Sequence, residues 1–313
     1  MISSQSPTEN VRIDDLIERY LIFCSVYYGD AKRGTTANII DSVRELQSRF
    51  GKMDASNFRP RDLKSVRETM IEIGLSRTTI NYRVLKIKAM FRWAVSEEFV
   101  DVDVLQRLQT VDGLKRGRTT ANEPERRQPV AWDDVNATLP FVPEVVADMI
   151  RFQWHTAARS GSVVTATADQ FEVDPQNDDL MLWRPRHKSE HLGTELIIPI
   201  GPKCQRVLRP YLEGGPLFDP SRDPMARGNV GKVYSPASYR RAIVRGIEKA
   251  SRQGVRIPKW SPHAIRHARG HEIRRTHGIE AVQAILGHAS LSASEIYSER
   301  RLNTAREIAA EIG

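Results

Sequence analysis

Apolar residues in the N-terminal part of the chain recur at helical spacing. Ile13, Leu16, Ile17, Tyr20 and Cys24 follow one another at intervals of three and four, which predicts an amphipathic helix over residues 11–28. Similar patterns predict helices over residues 36–49, 60–73 and 78–97. We therefore expect a small helical domain at this end of the chain.

Residues 113–129 interrupt the periodicity. They read GLKRGRTTANEPERRQP, a segment rich in charge, glycine, threonine and proline. We interpret this segment as a linker between a helical domain, residues 1–112, and a second domain, residues 130–313.

The second domain has a mixed pattern. An apolar stripe predicts a helix over residues 142–157, which leads into the small-residue stretch TAARSGSV around Arg159. Short β signals follow at residues 170–173, 180–183 and 195–199, then a helix near 203–212 and a Pro- and Gly-rich surface segment at 217–234. The last third is again helical. The predicted fold class is mainly α with a small antiparallel β-sheet.

The charge of the chain indicates a polyanionic partner. Its 47 Lys and Arg residues exceed 39 Asp and Glu residues, giving a formal charge of +8, and the calculated pI is 9.6. Nucleic acid or an anionic membrane surface would fit. No apolar run approaches the ~20 residues of a spanning helix, and no signal-peptide pattern is present. We expect a cytoplasmic protein in which Cys24 and Cys204 are buried thiols.

Two segments concentrate the positive charge. The predicted helix at 78–97 and its N-terminal flank carry cations with no acid until Glu97, which indicates either DNA binding or a solvated basic face. Between Arg256 and Arg275 six basic residues stand against the single acid Glu272, and Arg269 belongs to this group. The candidate DNA-binding residues are Arg77, Arg83, Lys86, Lys88, Arg92 and Arg269.

Histidines in the second basic segment recur every four residues, at His263, His267 and His271. On a helix this spacing aligns three imidazoles, as in some metal sites. The surrounding cations would repel a divalent ion, and the HExxH spacing is absent because position 275 is arginine. We therefore predict no metal site.

A group of reactive residues near the C-terminus indicates covalent attack on phosphate by a tyrosine. His263 and Arg266 are followed by the tripeptide Leu286-Gly287-His288, and Tyr297 comes nine residues after that histidine. A tyrosine hydroxyl has a pKa near ~10, so it is a weak nucleophile unless cations stabilise the phenolate or a neighbour accepts the proton. The basic groups nearby can do both.

These motifs resemble those of the tyrosine recombinases, also called phage integrases. The resemblance consists of the His-x-x-Arg element, the Leu-Gly-His tripeptide and the nine-residue step to the tyrosine. Upstream, Arg159 after Thr156 is similar to the first arginine motif, and Lys188 lies in a predicted hairpin turn where the family has its lysine. Residues 75–100 also resemble the last long helical segment of the family's core-binding domain.

The resemblance implies a helical core-binding domain followed by a mixed α+β catalytic domain. It also implies a site-specific DNA recombinase or integrase of the kind found in mobile elements. Arg159 and Arg266 would hold the non-bridging oxygens of the scissile phosphate, because guanidinium groups donate in a fork and stay charged. Tyr297 would attack phosphorus and form a 3′-phosphotyrosyl link.

The remaining roles concern protons and hydrogen bonds. By the same resemblance, Lys188 would protonate the leaving 5′-oxygen, His263 would exchange the tyrosine proton, and His288 would donate a hydrogen bond to the phosphate. Religation would conserve the phosphodiester energy, so neither a cofactor nor ATP is implied. The sequence GNVGKVY does not match a phosphate-binding P-loop.

The resemblance implies double-stranded DNA and accessory DNA-bending proteins as partners. It also implies that the protein is monomeric or dimeric before synapsis, forms a homotetramer on DNA, and is associated with the nucleoid in the cytoplasm. The C-terminal tail has apolar residues at helical spacing, which fits packing either in cis or on a neighbouring protomer.

One residue departs from the family pattern, because Ser162 stands where a carboxylate is common three residues after the first arginine. This departure leaves open an integrase-like DNA-binding protein with weakened catalysis. A type IB topoisomerase, which would use the same kind of chemistry without partner exchange, is a second alternative, but the Leu-Gly-His tripeptide and the integrase-like helical domain argue against it.

Overall fold

The structure, a computed structural model, describes residues 11–29, 34–123, 129–186, 195–222, 233–286 and 306–311. The chain divides into two compact units, Met1–Arg126 and Arg127–Gly313. The division falls within the segment predicted to be a linker.

The described part of the first unit is helical. Its helices are α1 (Ile13–Tyr28), α2 (Gly34–Phe50), α3 (Pro60–Glu72), α4 (Arg77–Ser96) and α5 (Val102–Gln109). The four predicted helices are confirmed to within about two residues at each end. Helix α5 was not predicted, because eight residues are too short for a convincing periodic pattern. Ser76 caps the start of α4, because its Oγ accepts a hydrogen bond from the Thr79 amide at 3.3 Å.

The segment after α5 is attached to α4. Lys88 Nζ donates to the Val111 carbonyl at 2.5 Å, and Asn81 exchanges two hydrogen bonds with the Leu114 backbone at 2.7 and 3.0 Å. The first part of the predicted linker is therefore held against the helix by side chains rather than free in solvent.

The described part of the second unit combines helices with a small antiparallel sheet, which confirms the predicted fold class. The strands β1 (Phe171–Asp174), β2 (Asn177–Trp183) and β3 (Ile198–Ile200) lie in the order β1-β2-β3. The helices are α6 (Trp132–Thr138), α7 (Glu144–Thr156), α8 (Ser160–Val164), α9 (Pro202–Leu208), α10 (Pro236–Arg252) and α11 (Pro262–Leu286), with a C-terminal helix at residues 306–311.

Three predicted elements in this unit have different boundaries in the structure. The helix predicted over 203–212 ends at Leu208, and Arg209–Tyr211 form a 3₁₀ turn, because Pro210 lacks the amide that an α-helix needs. Strand β2 begins at Asn177, three residues before the apolar stretch, since its first residues are polar and exposed beyond the core. The strand predicted over 195–199 forms only at Ile198–Ile200, because residues 195–197 do not pair with the sheet.

Aromatic side chains fasten the sheet to α7. Trp183 is fully buried, stacks parallel to Phe171 with ring centroids 5.7 Å apart, and lies 4.9 Å from the ring of Phe152 on α7. This core gives α7 a fixed position, so the turn at its C-terminal end is presented from a rigid support. Cys24 and Cys204 are both buried and free, as expected. Among the described helices, none is both long enough and apolar enough to cross a membrane.

Candidate active site

Arg159 lies in a tight turn between α7 and α8. Helix α7 ends because Ala157 adopts a left-handed conformation with φ of 51°, which is costly for a residue with a β-carbon. Arg159 then takes an extended conformation as the N-cap of α8, and its side chain is exposed. The turn therefore directs one guanidinium group into solvent from the end of a buried helix.

Arg266, on α11, joins this turn to a second motif. Its Nη1 donates to the Ala157 carbonyl at 2.9 Å, and its Nη2 donates to the Leu286 carbonyl at 2.7 Å. The residue is only 8% exposed. Leu286 is the first residue of the Leu-Gly-His tripeptide. Arg266 therefore connects the first arginine motif with the start of that tripeptide.

A kink in α11 brings Leu286 back to Arg266. Twenty residues of straight helix would separate the two by about 30 Å. Gly278 interrupts the helix with φ of 83° and ψ of −178°, a conformation open mainly to glycine. The chain beyond it folds back so closely that a β-carbon at Gly270 would lie 3.1 Å from the Leu286 Cδ1 atom. Gly270 and Gly278 are therefore site-building residues that motif reading did not identify.

The two arginines share one electrostatic environment. Burial and the nearby charge of Arg159 lower the pKa of Arg266 from its ordinary value to about 10. Arg266 still carries its charge at neutral pH, but that charge is held at a cost. An anion bound between the two guanidinium groups would relieve this cost, so the arrangement favours binding of a phosphate.

His263 and His267 form a contacting pair on the exposed face of α11. Their Nε2 atoms lie 3.0 Å apart and their rings meet edge to face, with centroids 4.4 Å apart. One imidazole can therefore donate to the other in this geometry. Across the described residues, no group of three or more His, Cys, Asp or Glu side chains is arranged to hold a metal ion.

A buried polar pair supports the Arg159 turn and was not predicted from the sequence. Gln153 Nε2 donates to the Ala158 carbonyl at 3.0 Å, and Tyr239 Oη donates to Gln153 Oε1 at 3.0 Å. Both side chains are fully buried. The only sequence signal was a glutamine on the apolar side of a helix.

Three predicted catalytic residues, Lys188, His288 and Tyr297, lie outside the described residues. The structure thus brings together Arg159, Arg266 and the backbone that leads into the Leu-Gly-His tripeptide.

Arg269 does not have the exposure expected of a DNA contact. It is 5% exposed, forms an ion pair with Glu272, and its guanidinium carbon lies 5.3 Å from the centroid of the Trp154 ring. Its burial argues against the predicted DNA-binding role. The basic character of the segment did not indicate which of its cations are packed inside the protein.

The predicted DNA contacts of the first unit differ in their surroundings. Arg77 is paired with Glu123, Lys88 donates to the backbone, and Arg83 lies 3.9 Å from a carboxylate oxygen of Glu45. Burial lowers the pKa of Lys88. Arg77, Lys88 and Arg83 therefore have structural contacts within the unit, whereas Arg92 is exposed.

Helix α10 carries a basic surface that the sequence analysis did not single out. Arg240, Arg241 and Arg245 line a shallow exposed groove together with Val244 and one acid, Glu248. Like charges one turn apart disfavour an isolated helix, so this surface is suited to a polyanion.

The C-terminal helix packs in cis on the second unit. Ile308 is buried in a cluster with Ile273, Ala281 and Val282 of α11. Of the two arrangements left open for the tail, residues 306–311 of this single chain adopt packing in cis.

Comparisons with known proteins place the chain in one group. The model of the "Phage integrase family" matches residues 141–303, just over half of the chain. The tyrosine recombinase XerC of Bacillus subtilis (strain 168) is 21% identical over 272 residues, which are 84% of this chain and 85% of that protein. XerC of Haemophilus ducreyi is 32% identical over 226 residues, which are 72% of this chain and 69% of that protein.

A solved structure has the same fold. A lambda integrase tetramer bound to a Holliday junction aligns with a TM-score of 0.66 at 14% identity, covering 91% of this chain and 80% of the integrase chain. The family match and the two relatives confirm the resemblance read from the motifs. The chain therefore belongs to the phage integrase family, the tyrosine recombinases.

Proposed function

We propose that this protein, a site-specific recombinase, cleaves and rejoins duplex DNA through a 3′-phosphotyrosyl intermediate. The observation that carries the mechanism is the pairing of Arg159 with Arg266. Two guanidinium groups share one site, one exposed and one buried, and burial together with the charge of the first lowers the pKa of the second. A phosphodiester between them would accept hydrogen bonds from both.

The arginines would act most strongly in the transition state. As the nucleophile attacks, negative charge accumulates on the non-bridging oxygens of a pentacoordinate phosphorus. Donors that are already in place stabilise this charge without reorganising. Arg266 fits this role because its two backbone hydrogen bonds hold the guanidinium plane.

The nucleophile and the proton carriers are assigned from the motifs. Tyr297 Oη would attack phosphorus and pass its proton to His263. The bond from phosphorus to the 5′-oxygen would break, and Lys188 would protonate that oxygen, while His288 would donate a hydrogen bond to the phosphate. His263 is supported by its exposed position one turn before Arg266, where an imidazole can exchange protons near neutral pH.

The charge distribution supports double-stranded DNA as the substrate. Arg240, Arg241 and Arg245 on α10 give the second unit a basic surface beyond the reactive groups. In the first unit, Arg92 is exposed, and Lys86 lies with its Nζ 5.3 Å from the ring centroid of Tyr82. We assign residues 1–112 as the core-binding domain and residues 130–313 as the catalytic domain, with a connecting segment between them.

We further assign assembly into a homotetramer on DNA. The lambda integrase tetramer on a Holliday junction supports this proposal through the shared fold. The C-terminal helix would leave its position in cis and dock on a neighbouring protomer when two sites are brought together. Accessory DNA-bending proteins and association with the nucleoid belong to the same proposal and are tested separately by reconstitution.

A nicked suicide substrate tests the reaction. Loss of the short 3′-side fragment prevents religation, so a covalent complex accumulates and is seen as a slower band on a denaturing gel. We expect an adduct with the wild-type chain and none with Tyr297→Phe, while both bind the substrate equally. Binding of the wild-type chain without an adduct would instead support an integrase-like DNA-binding protein with weakened catalysis. Ser162, in place of the usual carboxylate, is the reason for considering that alternative.

A further inference from the structure

We propose that Gln153, held by Tyr239, is a positioning residue for Arg159. The inference rests on the proposed function, because it takes Arg159 to bind the scissile phosphate. In this proposal, buried side chains of the core hold the turn that carries Arg159. Ser162 leaves that turn without the carboxylate that is common in the family.

The orientation of the Gln153 amide follows from its two partners. The Ala158 carbonyl can only accept a hydrogen bond, so the amide nitrogen of Gln153 must face it, at 3.0 Å. The amide oxygen then faces Tyr239 Oη, also at 3.0 Å, and the tyrosine donates. Burial raises the pKa of Tyr239 well above its ordinary value, so its hydroxyl remains a donor.

This chain of hydrogen bonds ends at the backbone of Arg159. The Ala158 carbonyl belongs to the peptide group whose nitrogen is that of Arg159. The preceding carbonyl, of Ala157, accepts from Arg266 at 2.9 Å. Both planar peptide groups before the Arg159 α-carbon are therefore held by side chains, one by Gln153 and one by Arg266.

The conformation of Ala157 needs such support. A left-handed alanine costs of the order of 1 kcal/mol and persists only where its surroundings determine it. Without Gln153, the second peptide group could rotate and the arginine would lose its direction.

Packing alone does not account for Gln153 and Tyr239. Apolar side chains of similar size would fill the same space without the cost of burying an amide and a hydroxyl. The two polar residues come from different helices, α7 and α10, and satisfy each other inside the core. Their chemistry is therefore suited to holding a backbone group in one position.

The test uses four single variants of the full chain on the nicked suicide substrate, together with the Arg159→Ala variant as a background. Gln153→Leu removes both hydrogen bonds, and Tyr239→Phe removes the donor to Gln153. Tyr211→Phe is the matched control, because Tyr211 is a buried tyrosine that donates to α7 at Asp148, 2.8 Å away, with no link to the turn. Gln153→Glu keeps the shape of the side chain but can donate to the carbonyl only when protonated.

The rate of adduct formation at saturating DNA is the main readout. We expect it to fall about a hundredfold in Gln153→Leu and about tenfold in Tyr239→Phe, with little change in Tyr211→Phe despite a similar loss of melting temperature. In Gln153→Glu the rate relative to wild type should rise as the pH is lowered, because protonation restores the donor. In an Arg159→Ala background, Gln153→Leu should cause no further loss, since residues that act as a unit are not additive.

The outcomes separate the two proposals. If the wild-type chain forms no adduct, the proposed function fails and this inference fails with it. If the wild-type chain forms the adduct and Tyr239→Phe and Gln153→Leu react as fast as Tyr211→Phe, the inference alone is overturned. Should Gln153→Leu not fold, Tyr239→Phe and the pH profile of Gln153→Glu decide the matter.

Discussion

Arg266 donates a hydrogen bond of 2.9 Å to the carbonyl oxygen of Ala157, two residues before Arg159. One arginine of the proposed phosphate site is therefore part of the scaffold of the other. Because its second hydrogen bond goes to Leu286, displacement of Arg266 would disturb both the arginine turn and the approach to the Leu-Gly-His tripeptide. Binding and architecture are thus combined in one side chain.

Arg266→Lys should separate charge from architecture. A lysine keeps the positive charge but lacks the rigid fork that reaches two carbonyls. We expect adduct formation to fall at least about a hundredfold. We also expect a loss of about 1–3 kcal/mol in the free energy of unfolding, because buried carbonyls lose their donors. Single-turnover cleavage and chemical denaturation measure the two effects.

Arg274→Lys is the control, since Arg274 is an exposed arginine on the same helix. It should leave stability and cleavage unchanged. Equal behaviour of the two variants would mean that Arg266 contributes only its charge.

Sulfate should stabilise the protein through the arginine pair at neutral pH. The pKa of Arg266 is lowered in the folded state, so folding opposes its protonation and the penalty is present at all pH values below about 10. As the pH rises from about 10 towards the ordinary pKa of arginine, the folded protein loses this proton before the unfolded chain does, and the penalty disappears. An anion between the guanidinium groups removes it below pH 10.

The measurement is the melting temperature with and without sulfate at constant ionic strength. At tenfold excess over the dissociation constant, we expect stabilisation of about 1.4 kcal/mol, or about 4 °C for a unit of this size. The shift should be smaller in Arg159→Ala and should decline above pH 10. A shift that is the same in Arg159→Ala would place the sulfate elsewhere.

The C-terminal helix should depend on one buried ion pair. Arg306 donates to both carboxylate oxygens of Asp174, at 2.5 and 2.9 Å, and Asp174 is fully buried. Arg306→Ala would leave that carboxylate without this partner, so we expect a loss of about 3–5 kcal/mol. Thermal or urea unfolding would measure it.

Glu311→Gln supplies the contrast in the same helix. Glu311 pairs with His277 at 2.9 Å, but its side chain is 70% exposed. Exposed pairs contribute less than about 1 kcal/mol, so this variant should be close to wild type. If Arg306→Ala were equally mild, the tail would not be anchored by Asp174.

The cations of α4 should divide into DNA contacts and structural groups. Arg92 is exposed, whereas Lys88 donates to the Val111 carbonyl. Arg92→Ala should reduce the slope of log affinity against log salt concentration by about 0.9, the value for one phosphate contact. Lys88→Met should leave the slope unchanged and lower the melting temperature. Titrations at several salt concentrations check both, and the reverse pattern would contradict the assignment.

The sequence identified the reactive groups of the described site but not how they are held. Arg159 and Arg266 stand in recognisable motifs, so their chemistry was predictable. Their connection passes through backbone carbonyls, which carry no sequence signal, and through the kink at Gly278, which a helical pattern conceals. Gln153 supports the turn from the core, where its role depends on a tyrosine 86 residues away.

Charge was a weaker guide than motif. Arg269 lies in a basic segment and was expected to meet DNA, yet it packs against Trp154. Lys88 is likewise basic in sequence and structural in its contacts. Net charge indicates what kind of partner a protein binds, whereas the burial of each cation depends on tertiary packing. The fold class was predictable from hydrophobic periodicity, whereas α5 is too short to show a periodic pattern. The attachment of the segment beyond α5 depends on side-chain hydrogen bonds to the backbone, which the sequence does not reveal.

Mass spectrometry of the covalent complex tests the central claim most directly. The wild-type chain is reacted with the suicide substrate, and the DNA and the protein are digested to a nucleotide-bearing peptide. We predict that this peptide contains Tyr297 joined to a 3′-phosphate, and that the released strand carries a 5′-hydroxyl that a kinase can label without prior phosphatase treatment. A nucleotide attached to any other residue, or a released strand with a 5′-phosphate, would contradict the account.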